Sequence, residues 1–186
     1  LSERAAWLYQ KSKLHAEELG WRDRILEFAE IRSEYWVGEE ALFEALDDPL
    51  VADVALFEGG AFTDFVDSRG DLLPPDELAL ARQWQEIERS VHEVEEVRPG
   101  VGLTPRDLRT GDLHAIRERT ASRQLHVGNL ICARVVPAGD TWQIFGEIEP
   151  IAPAQRTTLL EMLDDETTDP ADLVAILSER FVPVRG

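Results

Sequence analysis

Residues 90–119, SVHEVEEVRPGVGLTPRDLRTGDLHAIRER, decide the fold. Before them, apolar side chains recur every three or four positions, the spacing of one helix face. From Ser90 they fall into short β-prone runs separated by turn residues at intervals of about ten positions. The pattern predicts five strands, at 91–97, 103–108, 113–119, 130–136 and 142–148. Thr110-Gly111-Asp112 joins the second to the third and Ala138-Gly139-Asp140 the fourth to the fifth, each with a glycine that a hairpin turn can use. Five short antiparallel strands imply a small barrel of the SH3-like or OB-like type, and a flat sheet packed on helices is the alternative.

Outward from this segment the chain is helical on both sides, which makes the class α+β. On the N-terminal side, Gly20 closes a helix at roughly 3–19, and Trp21, Ile25, Phe28, Ala29 and Tyr35 form the next apolar stripe. Asp48-Pro49 reads as a capping carboxylate followed by a proline at the first helical position, so Leu50, Val51, Val54 and Ala55 open a helix that Gly59-Gly60 ends. Phe62, Phe65 and Val66 mark another, and Leu80, Trp84 and Ile87 share a face after Pro74-Pro75. Beyond Pro150, Leu159, Leu160 and Leu163 are followed by a second Asp-Pro cap at Asp169-Pro170 and by Leu173, Val174, Leu177 and Phe181. The division is a helical part at 1–89, a β unit at 90–151 and a C-terminal helical pair at 152–186, packed as one compact unit.

Composition narrows the class of function. A chain of 186 residues with 44% hydrophobic content can bury a core without staples. Its apolar runs are far short of the roughly 20 residues that cross a bilayer, and nothing resembles a secretory signal. The single cysteine, Cys132, can close no internal disulfide, which fits a cytoplasmic protein. A formal charge of −18 repels nucleic acid and anionic membranes. The first residue is leucine, and the chain reads as a segment of something longer.

Between Arg98 and Arg134 this balance reverses, with seven arginines against three acids. Guanidinium groups make planar, bidentate contacts with carboxylates and phosphates. Arg98, Arg106, Arg109, Arg117, Arg119 and Arg123 are therefore the candidate surface for an anionic ligand or an acidic protein partner. The competing reading pairs them with carboxylates of the protein's own helices. Arg134 stands apart, because both faces of 130–136 are apolar and an unpaired charge there is costly. A partner such as Glu118 or Glu147 is expected.

Catalytic and metal chemistry find little support. His92, His114 and His126 share the β segment, but their spacing matches no metal motif. No GxSxG nucleophile turn is present, and Cys132 lies in an apolar run, where a thiol is inert packing. Gly59-Gly60 and Gly100-Val101-Gly102 are too short for a phosphate loop. No catalytic residue, metal ligand or cofactor is assigned.

The string DPLVADVALFEGG from Asp48 to Gly60 carries a resemblance, together with Arg69-Gly70, Leu73-Pro74, Asp76-Glu77, Glu93-Val94, Arg98-Pro99-Gly100, Arg106-Asp107-Leu108, Thr110-Gly111, Ala133-Arg134 and Phe145-Gly146. It is similar to bacterial, mainly actinobacterial, proteins associated with a SEC-C motif, over about residues 1–165. The cysteines that name that motif have no counterpart here, so its zinc binding does not carry over. The resemblance implies a companion domain within a larger bacterial protein.

The reading that follows is a non-enzymatic binding or interaction module that works through the Arg-rich face of the β unit. One alternative is a hydrolase with a carboxylate and histidine cleft between barrel and helices. Another is a nucleic-acid-binding small barrel, against which the net charge counts. The oligomeric state is not set by the sequence.

Overall fold

Asp48 and Asp169 each begin a helix by the same device. The Asp48 carboxylate accepts from the backbone N–H of Leu50 at 3.0 Å and the Asp169 carboxylate from that of Ala171 at 2.9 Å, with proline in the first turn of both helices. Each such cap contributes about 1 kcal/mol. The computed structural model describes residues 1–18 and 20–179. Within them α1 (Ser2–Glu18), α2 (Arg22–Ser33), α3 (Ala41–Leu46), α4 (Pro49–Leu56), α5 (Ala61–Arg69) and α6 (Pro75–Gln85) precede the sheet, and α7 (Arg156–Asp164) and α8 (Pro170–Ser178) follow it. Leu19 and Phe181, the expected ends of the first and last helices, lie outside the described residues. No described helix is long and apolar enough to cross a membrane.

Helix α4 is apolar nearly all round, and it is accordingly the buried centre of the helical layer, with even Asp53 enclosed. On α2, Phe28 and Ala29 are buried, whereas Trp21 and Tyr35 fall beyond the helix ends and are half-buried.

Seven strands, rather than the expected five, form one sheet: β1 (Ser90–Arg98), β2 (Gly102–Asp107), β3 (Ile116–Arg117), β4 (Leu130–Ala133), β5 (Val136–Ala138), β6 (Thr141–Gln143) and β7 (Glu149–Ile151). Their spatial order is β5-β6-β3-β2-β1-β4-β7. The expected strand at 130–136 divides at Arg134 and Val135. That at 113–119 shrinks to β3 plus an isolated bridge between Leu113 and Arg106, and that at 142–148 shrinks to β6. The sheet is also not wholly antiparallel, since β3 and β6 pair in parallel through Ile116 and Trp142.

The division at Arg134 explains the shape. Strands β4 and β5 are five places apart in the sheet, which in a flat sheet is about 24 Å. The short link from Ala133 to Val136 reaches at most about 11 Å. The sheet must therefore curl, and it forms a half-barrel whose corner is Arg134-Val135. Gly102 permits the tight β2–β3 pairing, because a β-carbon there would collide with the carbonyl oxygen of Ile116.

Alternation along the strands sorts side chains onto two faces. Val91, Leu130 and Cys132 pack outward against α2, α4 and α8. Val94, Leu103, Ile116, Ile131 and Val135 fill the concave side. A third apolar cluster joins α1, α5 and α6 to Val136 and Ala138 of β5. Arg134 finds its carboxylates in the helical layer, Glu58 and Asp53, and not at the expected Glu118 or Glu147.

Candidate functional site

The six arginines of the candidate surface separate toward the two ends of β2. Arg106, the penultimate residue of β2, donates to Glu93 at 2.7 Å and to Glu95 at 2.5 Å. Arg109, just beyond, is an internal cross-tie. It donates to the Arg89 carbonyl, to Ser90 Oγ at 3.0 Å and to Asp164 at 3.2 Å. At the opposite end, Arg98 and Arg117 flank Gly102 on neighbouring strands, and Arg123 lies against Gly100 in the β1–β2 turn. Arg98 reaches Glu96 and Thr104, both at 3.2 Å. Arg117, Arg119 and Arg123 are exposed and enter no ion pair among the described residues.

A cleft of about 430 Å³ opens at the Arg109 end, at the mouth of the half-barrel. His92 on β1 forms its floor. Its register partner is Ile131, so the ring shares the concave face with the barrel's own core. The residue is only 4% exposed, and among the described residues its ring nitrogens make no hydrogen bond of ordinary geometry, the Ala133 backbone offering only a weak one. Leaving a buried donor or acceptor unmade costs about 1–3 kcal/mol. Burial pushes the His92 pKa below its ordinary value, while Asp107 and the Ala133 backbone oppose the shift. The imidazole is therefore neutral at pH 7, with one donor and one acceptor nitrogen.

Opposite His92, His114 stacks on Trp142 with ring centroids 3.6 Å apart and planes inclined by 19°. The parallel β3–β6 pairing brings these two rings together. Asp107 forms a third side. Its Oδ1 accepts from Ser90 Oγ at 2.7 Å and from the Arg109 backbone N–H at 2.8 Å, which fixes the turn after β2. Burial alone would raise the Asp107 pKa, but these hydrogen bonds hold it below the ordinary carboxylate value. Glu86, Glu88, Asp112 and Asp164 complete an acidic rim in which Arg109 is the single cation among the lining residues described.

Arg109 is thus the one candidate arginine that lines the cleft, and it does so as part of the wall. His92 and His114 meet there, whereas His126 is exposed elsewhere. Among the described residues, no group of three or more histidines, cysteines or carboxylates is arranged to hold a metal. Among the described residues, neither His92 nor His114 is hydrogen-bonded to a carboxylate. The pair that is, His15 with Asp64 at 3.1 Å, joins α1 to α5 in the helical half. Trp142 and the inward aim of His92 were missed from the sequence. The alternation His92, Val94 on one strand face was the available signal, but nothing local marks the pairing of β3 with β6.

No protein-family model, curated protein or solved structure matches the chain.

Proposed function

We propose that the chain is a binding module and not an enzyme, and that the mouth of its half-barrel takes a small, flat nitrogen heterocycle bearing a positive charge. The observation that carries this reading is His92, an almost fully enclosed imidazole that lines a cleft and whose nitrogens make no hydrogen bond of ordinary geometry among the described residues. A ring N–H of such a cation donates to the unprotonated nitrogen of His92. The His114–Trp142 stack offers an aromatic wall favourable to a cation, and the acidic rim attracts one. Barrel mouths are common ligand sites.

Replacing His92 by leucine separates this reading from a purely structural one. An apolar side chain of similar size removes the unmade hydrogen bonds, so H92L raises the thermal midpoint by about 2–4 °C for each kcal/mol regained. It also abolishes binding of aminobenzimidazole and aminopyridine probes, followed by calorimetry and Trp142 fluorescence. A destabilised H92L protein, or one that binds these probes as the unsubstituted protein does, defeats the reading.

A second reading keeps the arginine face. Arg117, Arg119 and Arg123 are exposed at one end of the barrel without carboxylate partners among the described residues, which suits an acidic protein segment. Charge reversal of all three to glutamate then removes salt-sensitive binding of poly-glutamate, and unchanged binding takes this face out of consideration.

A further inference from the structure

Helix α4 is flanked by the second half of α1 on one side and by α2 and α3 on the other, and a cleft of about 580 Å³ is left between them. It shares no lining residue with the cleft at the half-barrel mouth. Its apolar surface comes from Ala16 of α1, Ile25 and Leu26 of α2, Leu46 of α3, and Ala52 and Leu56 of α4. Leu26 is 38% exposed there. One turn before Leu46, and so on the same face of α3, Leu42 is 37% exposed. Exposed apolar side chains scattered singly are ordinary, whereas a set gathered around a cleft marks a docking surface.

The charged residues that line the cleft are Glu17, Asp23 and Asp47 against Lys13 and Arg22. Among the described residues none of the five is held in an ion pair, so the carboxylates are not already neutralised. Over residues 13–47, which contain both walls, ten carboxylates stand against four cations. One of the four, Arg32, is buried and held by Glu149 and Asp48. The field over the cleft is therefore negative, and Lys13 and Arg22 only reduce it.

No described lining residue carries a buried polar atom without a partner, so nothing there fixes the head group of a small ligand. What the cleft offers is an apolar trough in a negative field, which complements an amphipathic helix with basic flanks. A second copy of the chain brings the same excess of carboxylates and is repelled. We propose that this cleft is a docking groove for a basic amphipathic helix of a partner protein. Apolar side chains at helical spacing enter between Leu26 and Leu46, and the flanking lysines and arginines of the partner face Glu17, Asp23 and Asp47.

The test is fluorescence anisotropy, at about 0.15 M salt, of a labelled peptide of Leu-Lys-Lys-Leu repeats, which places leucine on one helix face. It binds saturably. An isomer of equal composition in which leucine and lysine alternate binds at least about tenfold more weakly, because its leucines share no helix face. The Leu-Glu-Glu-Leu counterpart does not bind. Leu26→Glu separates groove docking from simple charge attraction. It makes the protein more acidic, which strengthens a purely electrostatic contact, yet it puts a carboxylate in the apolar trough and weakens docking at least about tenfold. A thermal midpoint checks that L26E, altered at a partly exposed position, is folded. The isomer comparison needs no variant and decides the matter by itself. Equal binding of the two isomers overturns the proposal, as does binding of the helical peptide to folded L26E at undiminished affinity. A dimer of the unsubstituted protein in sedimentation velocity that L26E dissolves assigns the groove to a second copy and overturns it too.

Discussion

Arg134 donates from Nη2 to Oε1 of Glu58 at 2.7 Å, a bond between residues 76 positions apart that fastens the corner of the half-barrel to the end of helix α4. The same carboxylate oxygen accepts from Arg89, so one side chain ties the start of β1 and the end of β4 to a single point. The sheet's curl and the helical layer are thereby fixed together.

Removing one member of this network leaves an uncompensated buried charge. Glu58→Gln and Arg134→Met each destabilise the protein by about 3–5 kcal/mol, read as a lower urea midpoint at unchanged slope. Arg134→Lys does not restore stability, because a lysine cannot reach both Glu58 and the Ile87 carbonyl while lying over Phe57. An Arg134→Lys protein as stable as the parent would show that the pairing is replaceable by a simple point charge.

Acidification weakens the fold in two stages. The His92 pKa is depressed in the folded state, so the unfolded chain takes up a proton first, and stability declines as pH falls below about 6.5. Glu58 and Asp107 are also depressed, so their contribution is complete above the ordinary carboxylate value of about 4 and is lost as pH falls through the folded values below it. Urea midpoints measured from pH 8 to pH 3 follow this two-step course. In His92→Leu the first step vanishes and the second remains.

Cys132 is fully enclosed on the outer face of β4, and burial pushes its thiol up to about 12, with Arg89 and Arg134 opposing the shift only in part. Thiolate is the reactive form. Ellman's reagent at pH 8 therefore reacts with the native protein only at the rate at which it opens, and reacts at once in denaturant. Rapid, stoichiometric labelling of the folded protein would place this thiol in a different environment.

Arg106 and Arg109 carry the same charge three positions apart and differ sharply in weight. Arg106→Ala removes two partly exposed, solvent-screened ion pairs and costs little stability. Arg109→Ala strands the Arg89 carbonyl and detaches the turn after β2 from α7, at a cost of about 2 kcal/mol. Denaturant midpoints of the two variants should differ in that order, and equal losses would show that the cross-tie has no structural role.

Asp48, Asp53 and Glu58 lie on one short string of the sequence, and Arg134, Phe145 and Gly146 stand far along the chain from it. In the fold Asp53, Glu58 and Arg134 meet in one network, and Gly146 lies so close that a β-carbon would fall 2.6 Å from the Asp53 carboxyl carbon. Sequence proximity hid this convergence, since each fragment reads locally as a helix or a turn.

What the sequence determined by itself is what short-range physics governs: the α+β order, the change of character at Ser90, and the Asp-Pro caps of α4 and α8, each set by side chains within a few positions of one another. Only the tertiary structure decided the curl of the sheet, the parallel β3–β6 pair, the partners of Arg134 and the isolation of His92. All four depend on which distant segments share a face, and a charge or an imidazole acquires its meaning from groups that chain neighbours do not specify.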